Sequence, residues 1–329
     1  MRILALVPGG IGDQILFFPT LDDLKRYYPN AEIDVIVEPR AKGAYRVSGS
    51  VDEVLTFDYK DRNGLADFGN LLGIVRDREY DAALALGRGW SIGLLLWMSG
   101  VPLRIGYDTN AGKWFFTNLV PLKSEQYTAQ MYHDLLNGFG INSPCPELAI
   151  SVPKQDIEWA EAEQQRLEIK DTGYILIHGA SSQSAQSKEL NKIYPVAKWQ
   201  QIIEDIQRKQ PNLPIVILQG LEDSEWIAPL KQSRPDLKIV APPDIGKLAA
   251  IIAGANLMLC TDSAPLHLSV AVGTYTIALF GSTPSKKLLP QSVSEAGRDS
   301  VPHYIGIQSP TGAIADIKPE DVLKQVWRG

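Results

Sequence analysis

The chain has 329 residues, 45% of them hydrophobic and 21% charged, with 32 basic against 38 acidic side chains and a formal net charge of −6. That length suits two domains of roughly 150 residues each, and the acidic balance argues against a nucleic-acid binder working through a broad cationic face. No apolar run approaches the ~18 residues of a membrane span, and two cysteines far apart, Cys145 and Cys260, suggest neither a disulfide framework nor a cysteine metal site.

In chain order, the first predicted strand, Arg2–Val7, breaks into Pro8-Gly9-Gly10-Ile11-Gly12-Asp13 and resumes as an apolar helical stretch from Gln14 to Pro19. A short strand, three glycines in four residues and an apolar helix describe a tight strand-to-helix turn with one carboxylate at its rim. Asp13 is therefore the first candidate for chemistry. The run enters the turn without a signal-type cleavage pattern, which predicts a cytoplasmic protein.

Further strands are predicted at Glu32–Val37, Glu53–Phe57, Asp81–Leu86 and Arg104–Tyr107, with helices between them. The segment from Asn142 to Pro153 carries three prolines and reads as a linker. The alternation then restarts with a polar helix around Gln155–Leu167 and strands near Tyr174–His178, Pro214–Gln219, Leu237–Val240, Leu257–Cys260 and Tyr275–Phe280. Strands alternating with amphipathic helices predict an α/β chain of two doubly wound parallel-sheet units, 1–150 and 151–315, followed by a terminal helix in 316–329 that packs back toward the first. Ligands of such sheets collect outside the carboxyl ends of the strands.

The densest polar constellation is Cys260-Thr-Asp-Ser-Ala-Pro-Leu-His267, where an apolar strand gives way to a small-residue helix. A carboxylate, hydroxyls and free N–H groups at a helix start suit an anion such as a diphosphate. The plainer alternative is that Asp262 and Ser263 only cap the helix. A second cluster runs from His178-Gly-Ala-Ser181 to Lys192-Ile-Tyr-Pro195, where the lysine either neutralises a phosphate or is a solvated loop residue. Glu222 follows a strand at the place where doubly wound folds offer an acid to ribose hydroxyls, or where the helix dipole favours one. Lys60, Arg62, Arg88, Arg104 and Lys113 could form a local basic face, and Trp90, Trp97 and Trp114 could stack on sugars or meet a membrane interface; a buried helix face over Ile92–Met98 with solvated charges is the alternative. The compressed glycine spacing weakens a dinucleotide reading, and the chain has no Walker motif, nucleophile elbow or Asp-x-Asp metal pair.

Taken in order, these pieces resemble glycosyltransferase family 9, the bacterial heptosyltransferase family, with its GT-B architecture of two facing Rossmann-like domains. The matching residues are Gly12-Asp13 to Pro19, Arg104-Ile-Gly-Tyr107, Tyr132-His133, His178-Gly-Ala-Ser181, Lys192-x-Tyr-Pro195, Glu222, Thr261-Asp-Ser-Ala-Pro-Leu-His267 and Leu279-Phe-Gly-Ser-Thr-Pro284, spanning almost the whole chain. The chain departs from the pattern in having Ser263-Ala264 where many relatives have threonine-glycine, and Tyr194 where tryptophan is usual. The resemblance implies an inverting, metal-independent transfer of a sugar from a nucleoside-diphosphate donor, with ADP-heptose one candidate, to a glycan or glycolipid acceptor, with no cofactor besides the substrate. It implies Asp13 as general base, with Lys192, Ser263 and Ala264 at the donor diphosphate, Glu222 at the ribose, Asp262 and His267 at the transferred sugar, and Ser181 on the donor side. Gly12, Lys60, Arg62 and Arg104 fall to the acceptor side. No nucleic acid is expected, and the enzyme would meet the inner face of the membrane peripherally. The competing readings are a nucleotide-sugar epimerase of the same fold and a non-catalytic nucleotide-sugar-binding protein.

Overall fold

The computed structural model describes residues 1–59, 64–87, 89–109, 112–179, 193–220, 223–290 and 303–328. The chain divides into two compact units, Met1–Ser151 and Val152–Gly329, within a residue of the boundary expected at the proline-rich linker.

In the first unit, β1 (Arg2–Val7), β2 (Glu32–Val37), β3 (Glu53–Thr56), β4 (Ala82–Ala85), β5 (Leu103–Tyr107) and β6 (Asn118–Val120) form one sheet in the order β3-β2-β1-β4-β5-β6. Every pairing is parallel, and the register runs Ala5 to Val35 on one side of β1 and Ala5 to Leu84 on the other. The central strands are buried on both faces, as crossover helices require. α1 (Ile11–Tyr27) continues through Pro19 for two further turns. A helix stretch buried from Gln14 to Leu21 gains enough from packing Phe17, Phe18 and Leu21 to tolerate the hydrogen bond that proline removes. Among the described residues the remaining α-helices of this unit are α2 (Leu65–Asp77), α3 (Trp90–Met98) and α4 (Thr128–His133). α2 and α3 pack with Leu4, Leu6 and Ile36 in one apolar cluster.

The second unit repeats the plan. β7 (Ile175–His178), β8 (Ile215–Leu218), β9 (Lys238–Val240), β10 (Leu257–Thr261), β11 (Thr276–Phe280) and β12 (Tyr304–Gln308) form a parallel sheet in the order β12-β11-β10-β7-β8-β9. Read from the other edge, this is the strand order of the first unit. Its α-helices among the described residues are α5 (Lys154–Arg166), α6 (Val196–Lys209), α7 (Ser224–Ser233), α8 (Ile245–Ala253), α9 (Ala264–Ala271) and α10 (Pro319–Val326). Tyr194, Trp199 and Trp226 stack edge to face in its core, with Ile202, Ile206 and Ile217 around them.

Two strands escape the sequence reading, β6 and β12. Both are edge strands, one of three residues and one interrupted by Gly306, so neither carries the buried run that marks a central strand. The closing helix was expected beside the first unit. The structure shows it packed within the second: Val322 is buried with the isoleucines of α6, and Trp327 Nε1 donates to Asp205 at 3.2 Å while Lys209 lies 4.9 Å over its ring. Among the described residues no helix is long and apolar enough to cross a membrane.

Candidate active site

In each unit the sheet order reverses at one point, between β1 and β4 in the first and between β7 and β10 in the second. Loops leaving neighbouring strands diverge there and open a crevice at the strand ends. The candidate residues that are described gather at these two points.

In the first unit β1 ends at Val7, and in the turn that follows Gly9 adopts φ +125°, where a β-carbon would stand 2.4 Å from Asp13 Oδ2. Only glycine fits, on both backbone and steric grounds. Asp13, in the first turn of α1, turns its carboxylate back over that glycine, and Oδ2 accepts the Gly10 N–H at 2.8 Å. The other oxygen accepts the hydroxyl of Tyr132 at 3.1 Å. Tyr132 reaches it from α4 with its ring edge-on to Phe17, centroids 6.2 Å apart. Beneath the turn Gln14 is fully buried, donating to the Val7 carbonyl at 3.0 Å and accepting from Tyr45 at 2.8 Å. Asp13 itself is half-buried, so a carboxylate held by two donors still meets solvent. That is what a proton acceptor requires. Gly12 sits in the same first turn, also half-buried.

Nearly three turns further along α1, Asp23 is fully buried and receives Nε2 of His133 at 2.9 Å, together with the Ser143 hydroxyl and an ion pair from Arg26. Burial pushes its pKa up, but the hydrogen bonds from Ser143 and His133 and the charge of Arg26 outweigh this and hold it below the usual carboxylate range. This network ties α4, and with it Tyr132, to α1.

In the second unit β7 ends at His178 and β10 at Thr261, with His178 opposite Cys260 in the parallel register. His178 Nε2 lies 3.2 Å from Asp223 Oδ2, and its Nδ1 lies 3.1 Å from the Ser263 hydroxyl. Asp223 Oδ2 also accepts the Gly220 N–H at 2.6 Å. Burial raises the pKa of Asp223, and the hydrogen bond and charge of His178 with the Gly220 N–H more than reverse it, leaving the carboxyl below its usual range. Ser263 occupies the N-cap of α9 but its side chain makes no cap bond. The capping alternative therefore fails for Ser263: its hydroxyl goes to His178 and to the Thr261 carbonyl at 3.2 Å. Asp262, Ser263 and Ala264 are half-buried at the strand end, and His267 is buried one turn into α9.

Lys192, Ser181 and Glu222 on the donor side, and Lys60, Arg62 and Arg88 on the basic face, lie outside the described residues. Arg104, half-buried on β5, donates from Nε to the Phe115 carbonyl at 2.7 Å and from a terminal nitrogen to that of Val101, so it ties the segments before and after β5 to the strand. Lys113 is exposed and lies 5.8 Å over Trp114, itself 86% exposed, with Trp90 and Trp97 exposed as well. The buried-face alternative holds for Gly93, Leu95 and Leu96 of α3. Tyr132, quoted only as part of the family motif, and Asp223 are residues to which the sequence reading assigned no role in the site. A signal for Asp223 was present: Gly10-x-x-Asp13, Gly64-x-x-Asp67 and Gly220-x-x-Asp223 all fold the carboxylate back onto the glycine N–H.

The model of glycosyltransferase family 9 (heptosyltransferase) matches residues 70–299. The photosynthetic NDH subunit of subcomplex B 1 from Arabidopsis thaliana chloroplasts is 25% identical over 96% of this chain and 71% of its own length. Lipopolysaccharide heptosyltransferase 3 of Escherichia coli is 25% identical over 83% of this chain and 81% of its own. Among solved structures, the E. coli ADP-heptose lipopolysaccharide heptosyltransferase II superposes with a TM-score of 0.79 at 16% identity, covering 99% of this chain and 97% of that one.

Proposed function

Because the chain belongs to glycosyltransferase family 9, the heptosyltransferase family, we propose that it is an inverting, metal-independent glycosyltransferase that moves a sugar from a nucleoside-diphosphate donor to a hydroxyl of a glycan or glycolipid, as in lipopolysaccharide core synthesis. The observation that carries the assignment is the carboxylate of Asp13, held between the Gly10 N–H and the Tyr132 hydroxyl at the carboxyl end of β1. Asp13 lies outside the stretch matched by the family model, so its role rests on this geometry and on the motif around it.

In the proposed step the acceptor oxygen attacks the anomeric carbon on the face opposite the diphosphate. The bond from that carbon to the phosphate oxygen breaks with its electron pair going to the leaving diphosphate, and Asp13 takes the acceptor's proton. The leaving group gains negative charge, which Lys192 and the Ser263-Ala264 start of α9 are assigned to stabilise where no metal does so. Glu222 is assigned to the ribose, Asp262 and His267 to the transferred sugar, Ser181 to the donor loop, and Gly12, Lys60 and Arg62 to the acceptor side. ADP-heptose is the donor to test first, because the solved neighbour is named for it. The setting is cytoplasmic, with a lipid-linked acceptor met at the membrane surface by the face that carries Trp90, Trp97, Trp114 and Lys113.

Replacing Asp13 by asparagine leaves an amide oxygen to accept the Gly10 N–H, puts a donor opposite the Tyr132 hydroxyl, which can turn to accept it, and removes the base. Transfer should fall by about 10²- to 10⁴-fold, the usual worth of general-base catalysis, while affinity for the nucleoside diphosphate stays at its wild-type value. Undiminished turnover by this variant would remove the base assignment. A second reading, a nucleotide-sugar-binding subunit without turnover, draws support from the likeness to the chloroplast NDH subunit. It requires that the wild type bind the donor and transfer nothing to any acceptor hydroxyl.

A further inference from the structure

Three polar side chains join at the point where β7 and β10 part, and two of them have no part in the step above. We propose that Asp223 and His178 are positioning residues, which hold the Ser263 hydroxyl off the cap of α9 and in place for the diphosphate of the donor; the ligand named here rests on the donor reading above. An ionised Asp223 can only accept hydrogen bonds, so His178 carries its proton on Nε2, 3.2 Å away. In a neutral ring Nδ1 is then a lone pair, and it faces the Ser263 oxygen at 3.1 Å. The Thr261 carbonyl, 3.2 Å from the same oxygen, is a second acceptor for the same proton. Held between two acceptors, the hydroxyl does not swing to the first turn of the helix.

The helix offers it little there in any case. Pro265, at the second helical position, has no N–H to be capped, and the Leu266 N–H is spent on the Ser263 carbonyl at 3.1 Å. Exposure grades along the chain of contacts: Asp223 and His178 are each 6% exposed, whereas Ser263 is half-buried at the strand end. The orienting pair is thus shielded from water, which would compete for its hydrogen bonds, and the oriented group is the one a ligand can reach. Gly220 completes the anchor, because a β-carbon there would lie 2.8 Å from Asp223 Oδ2.

Serine, histidine and aspartate in contact also form the nucleophilic triad of hydrolases. Here the serine oxygen is tied to a main-chain carbonyl at the head of a helix, which suits a fixed binding hydroxyl better than an attacking one.

The test is ADP binding by calorimetry with the full chain. Asp223→Ala, His178→Ala and Ser263→Ala should each weaken ADP by about tenfold, the worth of one hydrogen bond to a charged group. Asp223→Ala combined with Ser263→Ala should cost no more than Ser263→Ala alone, since the groups act as one unit. Ser263→Thr, which retains a hydroxyl, should restore the affinity. Losses that multiply in the double variant, or wild-type affinity in Asp223→Ala, overturn the positioning role. A wild type that binds neither ADP nor any other nucleoside diphosphate overturns the donor reading instead, and shows it before any variant is compared. Independently of variant folding, nitrogen-15 spectra of the four histidines at pH 8 should show His178 protonated on Nε2 alone; a proton on Nδ1 overturns the relay. So does covalent labelling of Ser263 by a fluorophosphonate.

Discussion

At the scale of single residues, the chemistry proposed for the first unit depends on two that do none themselves. Gly9 supplies a positive φ and the space into which the Asp13 carboxylate folds. Gly9→Ala should cost roughly 1–3 kcal/mol in strain and displace the carboxylate as well, so that denaturant melts and transfer assays fall together. Tyr132 donates the second hydrogen bond to Asp13. Tyr132→Phe keeps the ring on Phe17 and removes only the hydroxyl, so kcat should fall by about tenfold with ADP affinity and melting temperature nearly unchanged. A matching fall in melting temperature would show that the phenol serves folding of the unit rather than the carboxylate. Reading residue by residue located Asp13, but Tyr132 meets it across 119 positions of sequence, a separation that no local spacing reports.

At the scale of elements, the join between α1 and α4 rests on Asp23 with His133, Ser143 and Arg26. Removing one partner of a buried charged network leaves the others unsatisfied, and Asp23→Ala should lower stability by about 3 kcal/mol. The pH dependence follows from the sign of the shift. Asp23 and Asp223 both have lowered pKa values in the folded protein, so the stability they contribute is complete above the unfolded aspartate pKa of about 3.9 and is lost as pH falls through the folded values. Thermal melts of the wild type should therefore be insensitive to these groups at neutral pH and fall steeply below about pH 4. Asp23→Ala should melt lower at neutral pH and show a shallower acid limb, and an unchanged acid limb would exclude Asp23 from the linkage. The central strands were legible because burial on both faces writes them as continuous apolar runs, as in Ile215–Leu218. Edge strands β6 and β12 carry no such signature, and α1 passes a proline that local propensity alone would treat as its end.

At the scale of the whole molecule, each unit has the same sheet order, and each gathers candidate residues at its own reversal point. A ligand that binds the folded chain alone raises its apparent stability, by about 2.7 kcal/mol at a hundredfold excess over Kd. ADP, UDP, GDP and dTDP compared by thermal shift should therefore rank with ADP first if the donor is an ADP-sugar. No shift with any of the four would count against nucleotide binding altogether. Asp13→Asn should show the same ranking and the same shifts as the wild type, because the proposed base belongs to the first unit and the residues assigned to the donor belong to the second.

Two α/β units, their boundary near residue 151, the turn at Gly9 to Asp13 and the polar start of α9 were all determined by sequence alone. Each is a local property, set by apolar periodicity or by the few residue types a tight turn admits. Tertiary structure alone decided which polar groups meet. Asp223, His178 and Ser263 come from three separate stretches and touch only because β7 lies between β8 and β10, and Arg104 on β5 meets the carbonyls of Val101 and Phe115 on either side of its strand. Strand order and side-chain competition are settled by packing between distant segments, and one-dimensional spacing carries no record of that contest.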